Sequence, residues 1–194
     1  MPTTAIRIKG SDTTKIECKQ NFNENFTLGL MISASGSFPK LLLIGKGKTE
    51  RCLKKYDIND SVIGTYTNNG WADEKCILII LNEVAKITKN EESVLLMDNF
   101  RSHLTDNVKN DAKLKNINLV YVPNGLTSKY QPLDICINGI LKEKAIKMYC
   151  EFEAKNSTLI YDHKQCLIDI LKIKKTITKK TIIHSFDCLK IDPK

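Results

Sequence analysis

Short apolar runs along the 194-residue chain alternate with stretches in which apolar residues recur every three to four positions. The runs predict β-strands and the periodic stretches predict amphipathic helices. Two of the runs flank the turn at Gly36-Ser37 and predict a β-hairpin. The predicted strands are 3–8, 15–19, 26–33, 41–44, 94–97 and 117–122, and the predicted helices are 72–87, 105–114, 133–153 and 181–189.

The order of these elements predicts the fold class. Strands and helices alternate after residue 72, which favours an α/β fold with parallel pairing in part of the sheet. The run 94–97 is apolar throughout and predicts a central strand buried on both faces. Residues 46–69 are mainly polar and contain no predicted element. Beyond Asn156 the chain is basic and less regular, so we expect a core over 1–155 and a basic helical extension over 156–194.

Composition narrows the range of partners. The formal net charge of +8 favours polyanions, because Lys and Arg contacts to phosphates release counterions. The seven cysteines are scattered without a CxxC pair, which argues against a zinc site or a disulfide framework. No apolar run approaches the roughly 18 residues of a membrane span, so we expect no membrane partner.

Two carboxylates stand out by their positions among the predicted elements. Asp98 follows the run 94–97, and Asp134 opens the helix after the next strand. Ligands collect at the carboxyl ends of strands in open α/β sheets, and shared carboxylates hold the two magnesium ions of phosphodiester cleavage. The alternative is that Asp98 is only a turn residue and that Asp134 only complements the helix dipole.

The residues around both acids form longer motifs. Residues 94–103 read VLLMDNFRSH, and residues 119–134 read LVYVPNGLTSKYQPLD. These segments resemble the DDE superfamily endonuclease domain of pogo- and Tigger-like transposases, the group that includes centromere protein B and the jerky proteins. In that family one acid at a strand end is followed by Asn and His, and another ends a Gln-Pro-Leu-Asp motif. Residues 26–55 and Gly70-Trp71 resemble the family's hairpin and the start of its first helix.

The resemblance implies an RNase H-like mixed sheet with flanking helices, and the cutting and joining of DNA strands with divalent metal. By the same resemblance, Asp98 and Asp134 are catalytic metal ligands for Mg²⁺ or Mn²⁺ in a two-metal site. Asn99 and His103 support them, the alternatives being a turn Asn and a capping or surface His. The resemblance also implies DNA as the partner, a nuclear location and no small-molecule substrate, and it leaves self-association open.

The resemblance is incomplete at the family's first acid. That acid lies in an Asp-Glu-Thr motif at the end of the first strand, which is central in an RNase H-like sheet, and no Asp-Glu-Thr occurs in this chain. We therefore expect the first strand to be missing and cleavage to be impaired, because two carboxylates hold two metal ions poorly. Whether the chain is an active enzyme stays open. The alternative is a non-catalytic nuclear module, derived from a transposase, that binds DNA or protein.

Overall fold

The computed structural model of the chain describes residues 26–56, 58–100, 104–156 and 159–189. In these ranges the strands are β1 (Thr27–Gly29), β2 (Leu41–Lys46), β3 (Val62–Thr67), β4 (Ser93–Asp98) and β5 (Ile117–Val122). The α-helices are α1 (Glu74–Thr88), α2 (Asp106–Leu114), α3 (Thr127–Tyr130), α4 (Asn138–Lys155), α5 (His163–Thr176) and α6 (Lys179–Asp187). A 3-10 helix covers Glu50–Lys55, and a π-helix covers Leu133–Ile137.

β2 lies in the middle of a three-stranded sheet in the order β1-β2-β3. It pairs antiparallel with β1, where Leu28 lies opposite Leu43, and this pairing confirms the predicted hairpin. It pairs parallel with β3, where Leu43 lies opposite Gly64. β1 has three residues, so the strand predicted over 26–33 is longer than the one observed.

The middle strand is the most deeply buried part of this sheet. Leu41–Ile44 are each at most 1% exposed. Successive side chains point to opposite faces of a strand, so the run serves two separate clusters. Leu42 packs with Cys76 of α1, and Leu43 packs with Leu167 of α5. An uninterrupted apolar run is therefore required here, because helices cover both faces.

β4 and β5 form a second, parallel pair. Ser93 lies opposite Ile117, and Asp98 lies opposite Val122. One face of this pair packs against α1 and α2 in a shared hydrophobic cluster. Ile80 of α1 contacts both this cluster and the cluster on β2. α1 therefore connects the two sheets through apolar packing.

The opposite face of the β4–β5 pair is open. Val94 is 67% exposed and Val120 is 46% exposed. The prediction that 94–97 is buried on both faces is wrong, because among the described residues β4 has one strand partner and helices on one face. The outer edges of β1 and β4 have no strand partner among the described residues, and the missing first strand stays a prediction. The result is a mixed α/β fold with flanking helices, compatible with an RNase H-like fold.

α1 matches its prediction closely because its ends carry clear local signals. Asp73 is the N-cap, and its side chain accepts a hydrogen bond of 3.0 Å from the backbone N–H of Cys76. Such a cap satisfies one of the free N–H groups of the first turn. The helix ends at Lys89, which adopts the left-handed conformation with φ of 53°.

Four of the described elements were not predicted, and the four-residue α3 is one of them. The 3-10 helix and β3 both lie in the polar stretch 46–69. The threonines and Gly64 make β3 look polar in the sequence, although several of its positions are buried. α5 lies in the basic stretch beyond Asn156, where lysines alternate with its apolar residues. The single helix predicted over 133–153 is a π-helix followed by α4.

The C-terminal part of the described chain is helical. α6 covers Lys179–Asp187, close to the helix predicted over 181–189. The predicted strands 3–8 and 15–19 lie outside the described residues, and the division between 155 and 156 stays a prediction. None of the described helices combines the length and apolar content needed to cross a membrane.

Candidate metal centre

Asp98 occupies the last position of β4. Its register partner is Val122, the last residue of β5, so the two parallel strands end at the same edge of their sheet. The Asp98 side chain is partly exposed at that edge. Polar groups at the carboxyl ends of parallel strands are the usual lining of ligand sites in α/β folds. The position suits a metal ligand that is fixed by a strand and open to substrate.

Asp134 lies after β5 in the chain, beyond a compact loop. The loop turns at Gly125, whose φ of 80° suits glycine. The backbone N–H of Leu126 donates to the Pro123 carbonyl over 3.1 Å, and that of Gln131 donates to the Thr127 carbonyl over 2.9 Å. Asp134 then stands exposed in the first turn of the π-helix.

Asn138 holds the Asp134 carboxylate. Its Nδ2 donates a hydrogen bond of 2.7 Å to Oδ1 of Asp134. The two residues are four positions apart, the spacing at which helical side chains meet. The second carboxylate oxygen, Oδ2, accepts no hydrogen bond from the described residues, so it remains available to a cation.

Gln131 contributes a polar atom that lacks a partner. Its side-chain oxygen Oε1 is buried and has no hydrogen-bond partner among the described residues. Its main-chain carbonyl accepts a hydrogen bond of 2.9 Å from the backbone N–H of Asp134. A buried acceptor without a partner costs free energy, so this oxygen in the loop before Asp134 is a candidate cation ligand.

The two supporting residues predicted from the motif differ in what the structure shows. Asn99 directly follows Asp98 and is exposed. His103 lies outside the described residues. Among the described residues there is no group of three or more His, Cys, Asp or Glu side chains placed to hold a metal ion. The structure therefore places Asp98 at the carboxyl end of β4, and Asp134 in the π-helix that follows the loop after β5.

The available donors suit a hard cation. Two carboxylates and an amide oxygen are the ligand types that Mg²⁺ prefers, whereas zinc would favour nitrogen and sulfur. The chemical type of these donor atoms thus suits magnesium, with Asp98, Asp134 and Gln131 as the oxygen donors. A two-metal arrangement needs more charge than two carboxylates supply.

The contact from Asn138 was not predicted as part of the site, although the sequence carries its signal. Asn138 stands four positions after Asp134 in a predicted helix, and that spacing alone predicts contact. The buried state of Gln131 Oε1 could not be predicted, since it depends on tertiary packing.

An open depression beside the π-helix is lined by Lys129, Ile135 and Cys188, together with Ser128 and Tyr130.

Comparison with known proteins agrees with this architecture. The family model described as DDE superfamily endonuclease matches residues 23–186, a span that contains both Asp98 and Asp134. A human protein named pogo transposable element with KRAB domain is 36% identical over 59 residues, which are 30% of this chain and 10% of that protein. Its mouse counterpart is 34% identical over 59 residues, with the same coverage of 30% and 10%.

These relatives are much longer than the matched segment, which spans about a tenth of their length. No solved structure matches the chain. The family model covers most of the sequence and the described core, and the curated relatives carry the pogo name. The chain therefore belongs to the DDE superfamily endonucleases and is similar to the pogo transposable elements.

Proposed function

We propose that this chain is a transposon-derived endonuclease domain that acts on DNA, in which Asp98 and Asp134 bind divalent metal at the scissile phosphate. What supports the proposal is that Asp98 ends β4, that Asp134 follows the adjacent parallel strand β5 in the sequence, and that both lie inside the span that matches the family. Strand cleavage by the 194-residue chain is impaired, because the chain has no Asp-Glu-Thr motif to supply a third acid.

The residues of the chain have distinct parts in this mechanism. Asp98 holds its carboxylate at the end of β4, and Asp134 is oriented by Asn138. Bound Mg²⁺ or Mn²⁺ would activate the attacking oxygen and stabilise the leaving oxygen of the phosphodiester. Asn99 and His103 follow Asp98 in the sequence and would position the phosphate or the metal-bound side chains.

Metal binding is the first test, since it does not require cleavage. Ligand binding to the folded state alone raises stability by about 1.4 kcal/mol at ten times the Kd, or roughly 3 to 5 °C in the melting temperature. We expect Mn²⁺ to produce such a shift in the wild-type chain, and Asp98→Ala and Asp134→Ala to abolish it. Asp106→Ala is the matched control, because this side chain is 96% exposed on α2. Equal shifts in all four proteins would exclude the proposed ligands.

A second candidate function is a non-catalytic module that binds DNA in the nucleus. The observation that favours it is the lack of a third acid beside Asp98 and Asp134 among the described residues. A nicking assay on supercoiled plasmid, with and without Mn²⁺, separates the two functions. Nicking that is lost in Asp98→Ala supports an endonuclease, whereas unchanged plasmid together with metal-independent binding supports the module.

A nuclear location and self-association rest on the family resemblance alone. Imaging of the tagged chain in cells tests the location. Sedimentation velocity over a range of protein concentrations tests association. A chain that stays outside the nucleus, or that remains monomeric throughout, would remove the corresponding part of the proposal.

A further inference from the structure

Lysines concentrate around the turn that joins α5 to α6. Five lysines occur between residues 172 and 180, and no acid lies between Asp169 and Asp187. Elsewhere on the described surface, lysines such as Lys86 and Lys109 form ion pairs with an acid on the same helix. Of the five lysines, Lys172 pairs with Asp169 on α5, and the other four have no ion pair with an acid among the described residues, so the turn carries an excess of positive charge.

Two other parts of the chain bring further lysines to this turn. Nζ of Lys144 on α4 donates a hydrogen bond of 2.6 Å to Oγ1 of Thr176. The connection between β1 and β2 contacts the same region through Lys174, whose Nζ donates to the Pro39 carbonyl and lies 5.2 Å from the centre of the Phe38 ring. Burial lowers the pKa of Lys174, which therefore anchors the connection rather than facing solvent.

The hairpin tip fits closely against α6. Gly36 has a φ of 83°, and a Cβ at this position would collide with the side chain of Lys179. Lys40, directly after Pro39, is exposed on the same connection. These contacts bring together a surface, here called the lysine surface, that consists of Lys40, Lys144, Lys175, Lys179 and Lys180.

The placement of these cations does not serve helix stability. Lys179 and Lys180 lie in the first turn of α6, where the helix dipole disfavours positive charge. Together with Lys40 and Lys175 they are exposed, and none of the four forms an ion pair within the described ranges. Unpaired lysines at an unfavourable helix end are explained if they neutralise an external anion.

We propose that the lysine surface binds the sugar–phosphate backbone of duplex DNA, which rests on the proposed function of the chain as a domain that acts on DNA. α6 packs against the π-helix that carries Asp134, and Cys188 after its other end lines the depression beside Ile135. Nine residues of α-helix span about 14 Å, the axial rise of roughly four base pairs. The lysine surface therefore lies at one end of α6, and the depression beside the π-helix that carries Asp134 lies at the other end.

The test compares two triple variants of the 194-residue chain that lose the same charge. The first is Lys40→Gln, Lys175→Gln and Lys180→Gln. The matched control is Lys86→Gln, Lys109→Gln and Lys113→Gln, three exposed lysines on α1 and α2. Binding to a short labelled duplex is measured in EDTA between roughly 50 and 200 mM salt, the range over which phosphate contacts weaken most visibly. Equal melting temperatures establish that all three proteins are folded.

We expect the first triple variant to bind more weakly than the control. Its plot of log affinity against log salt should be less steep by about 2 to 3, since each phosphate contact contributes about 0.9. Equal losses in both variants would overturn the lysine surface while leaving DNA binding intact. No DNA binding by the wild-type chain would overturn both this inference and the DNA part of the proposed function. Tighter binding to a single-stranded RNA competitor would overturn the assignment to duplex DNA.

Discussion

Asn138 donates a hydrogen bond from Nδ2 to Oδ1 of Asp134 across one helical turn, with 2.7 Å between the two atoms. Groups that orient a metal ligand typically change metal affinity by about 10- to 100-fold when they are removed. We expect Asn138→Ala to weaken Mn²⁺ binding by about tenfold in a calorimetric titration, with little change in melting temperature. Asn107→Ala is the control, because Asn107 makes a similar bond of 2.9 Å to Glu74, which is not one of the proposed metal ligands. Unchanged Mn²⁺ affinity in Asn138→Ala would remove Asn138 from the metal centre.

The buried side-chain oxygen of Gln131 predicts an effect that depends on metal. A buried polar atom without a partner costs about 1 to 3 kcal/mol. In EDTA, Gln131→Met should therefore raise the free energy of unfolding, by about 1 kcal/mol. With saturating Mn²⁺ the order should reverse, because wild type then gains an oxygen ligand. Chemical denaturation in EDTA and in Mn²⁺ measures the two free energies of unfolding. The control is Gln165→Met, which loses a bond of 2.9 Å to Asp169 and should lower the free energy of unfolding under both conditions.

Leu167 tests whether α5 belongs to the folded core. It is fully buried and packs with Leu43, Tyr56 and Val62. Leu167→Ala should lower the free energy of unfolding by about 2 to 5 kcal/mol, because it leaves a cavity between α5 and the sheet. Leu159→Ala should cost less than about 0.5 kcal/mol, since Leu159 is 57% exposed. Similar small losses in both variants would mean that α5 is dispensable for the core.

Cys76 predicts a loss of stability at alkaline pH. Burial raises the pKa of the Cys76 thiol from its ordinary value of 9.0 to about 11. The unfolded chain loses this proton first, so the folded state binds more protons between these two values, and stability falls as the pH rises through them. Cys76→Ala should reduce that fall by about 1 to 2 kcal/mol in denaturation curves taken at pH 8.5 and about 11. The exposed Cys150, replaced by Ala, should leave the fall unchanged.

Cleavage should respond to a third acid. A chain extended at its N-terminus by an apolar strand ending in Asp-Glu-Thr should nick plasmid DNA in Mn²⁺ roughly tenfold or more faster than the 194-residue chain, because a third carboxylate supports two metal ions. The control extension ends in Ala-Glu-Thr and keeps the added strand. Equal rates for the two extended chains would show that the missing acid does not limit cleavage.

The fold was predictable wherever local pattern and tertiary burial agree. The runs 41–44 and 117–122 became strands, and the signals at Asp73 fixed the start of α1. β3 was missed because buried Thr65 and Thr67 look polar in the sequence. α5 was missed because Leu167 and Ile173 lie among lysines and polar residues. In each missed element, burial is decided by a partner distant in the sequence.

In the candidate site, too, some features could be predicted from the local sequence and others depend on distant residues. Asp98 and Asp134 were singled out by motifs along the chain and stay predictions as metal ligands, whereas the contact from Asn138 follows from helical spacing. The open face at Val94 could not be predicted, because an apolar run reads the same whether one or both faces of its strand are covered. Whether a face is covered depends on elements that pack against it from elsewhere in the chain, not on residues 94–97 themselves.

The edges of β1 and β4 that lack a strand partner in the described part of the chain also affect how the protein behaves in concentrated solution. A row of free backbone N–H and C=O groups recruits strands from other molecules, and natural sheets usually blunt it with charge or proline. Val94 on β4 adds an exposed apolar side chain that can pack against another molecule. If these edges pair between copies of the chain at high concentration, Val94→Lys should reduce the association.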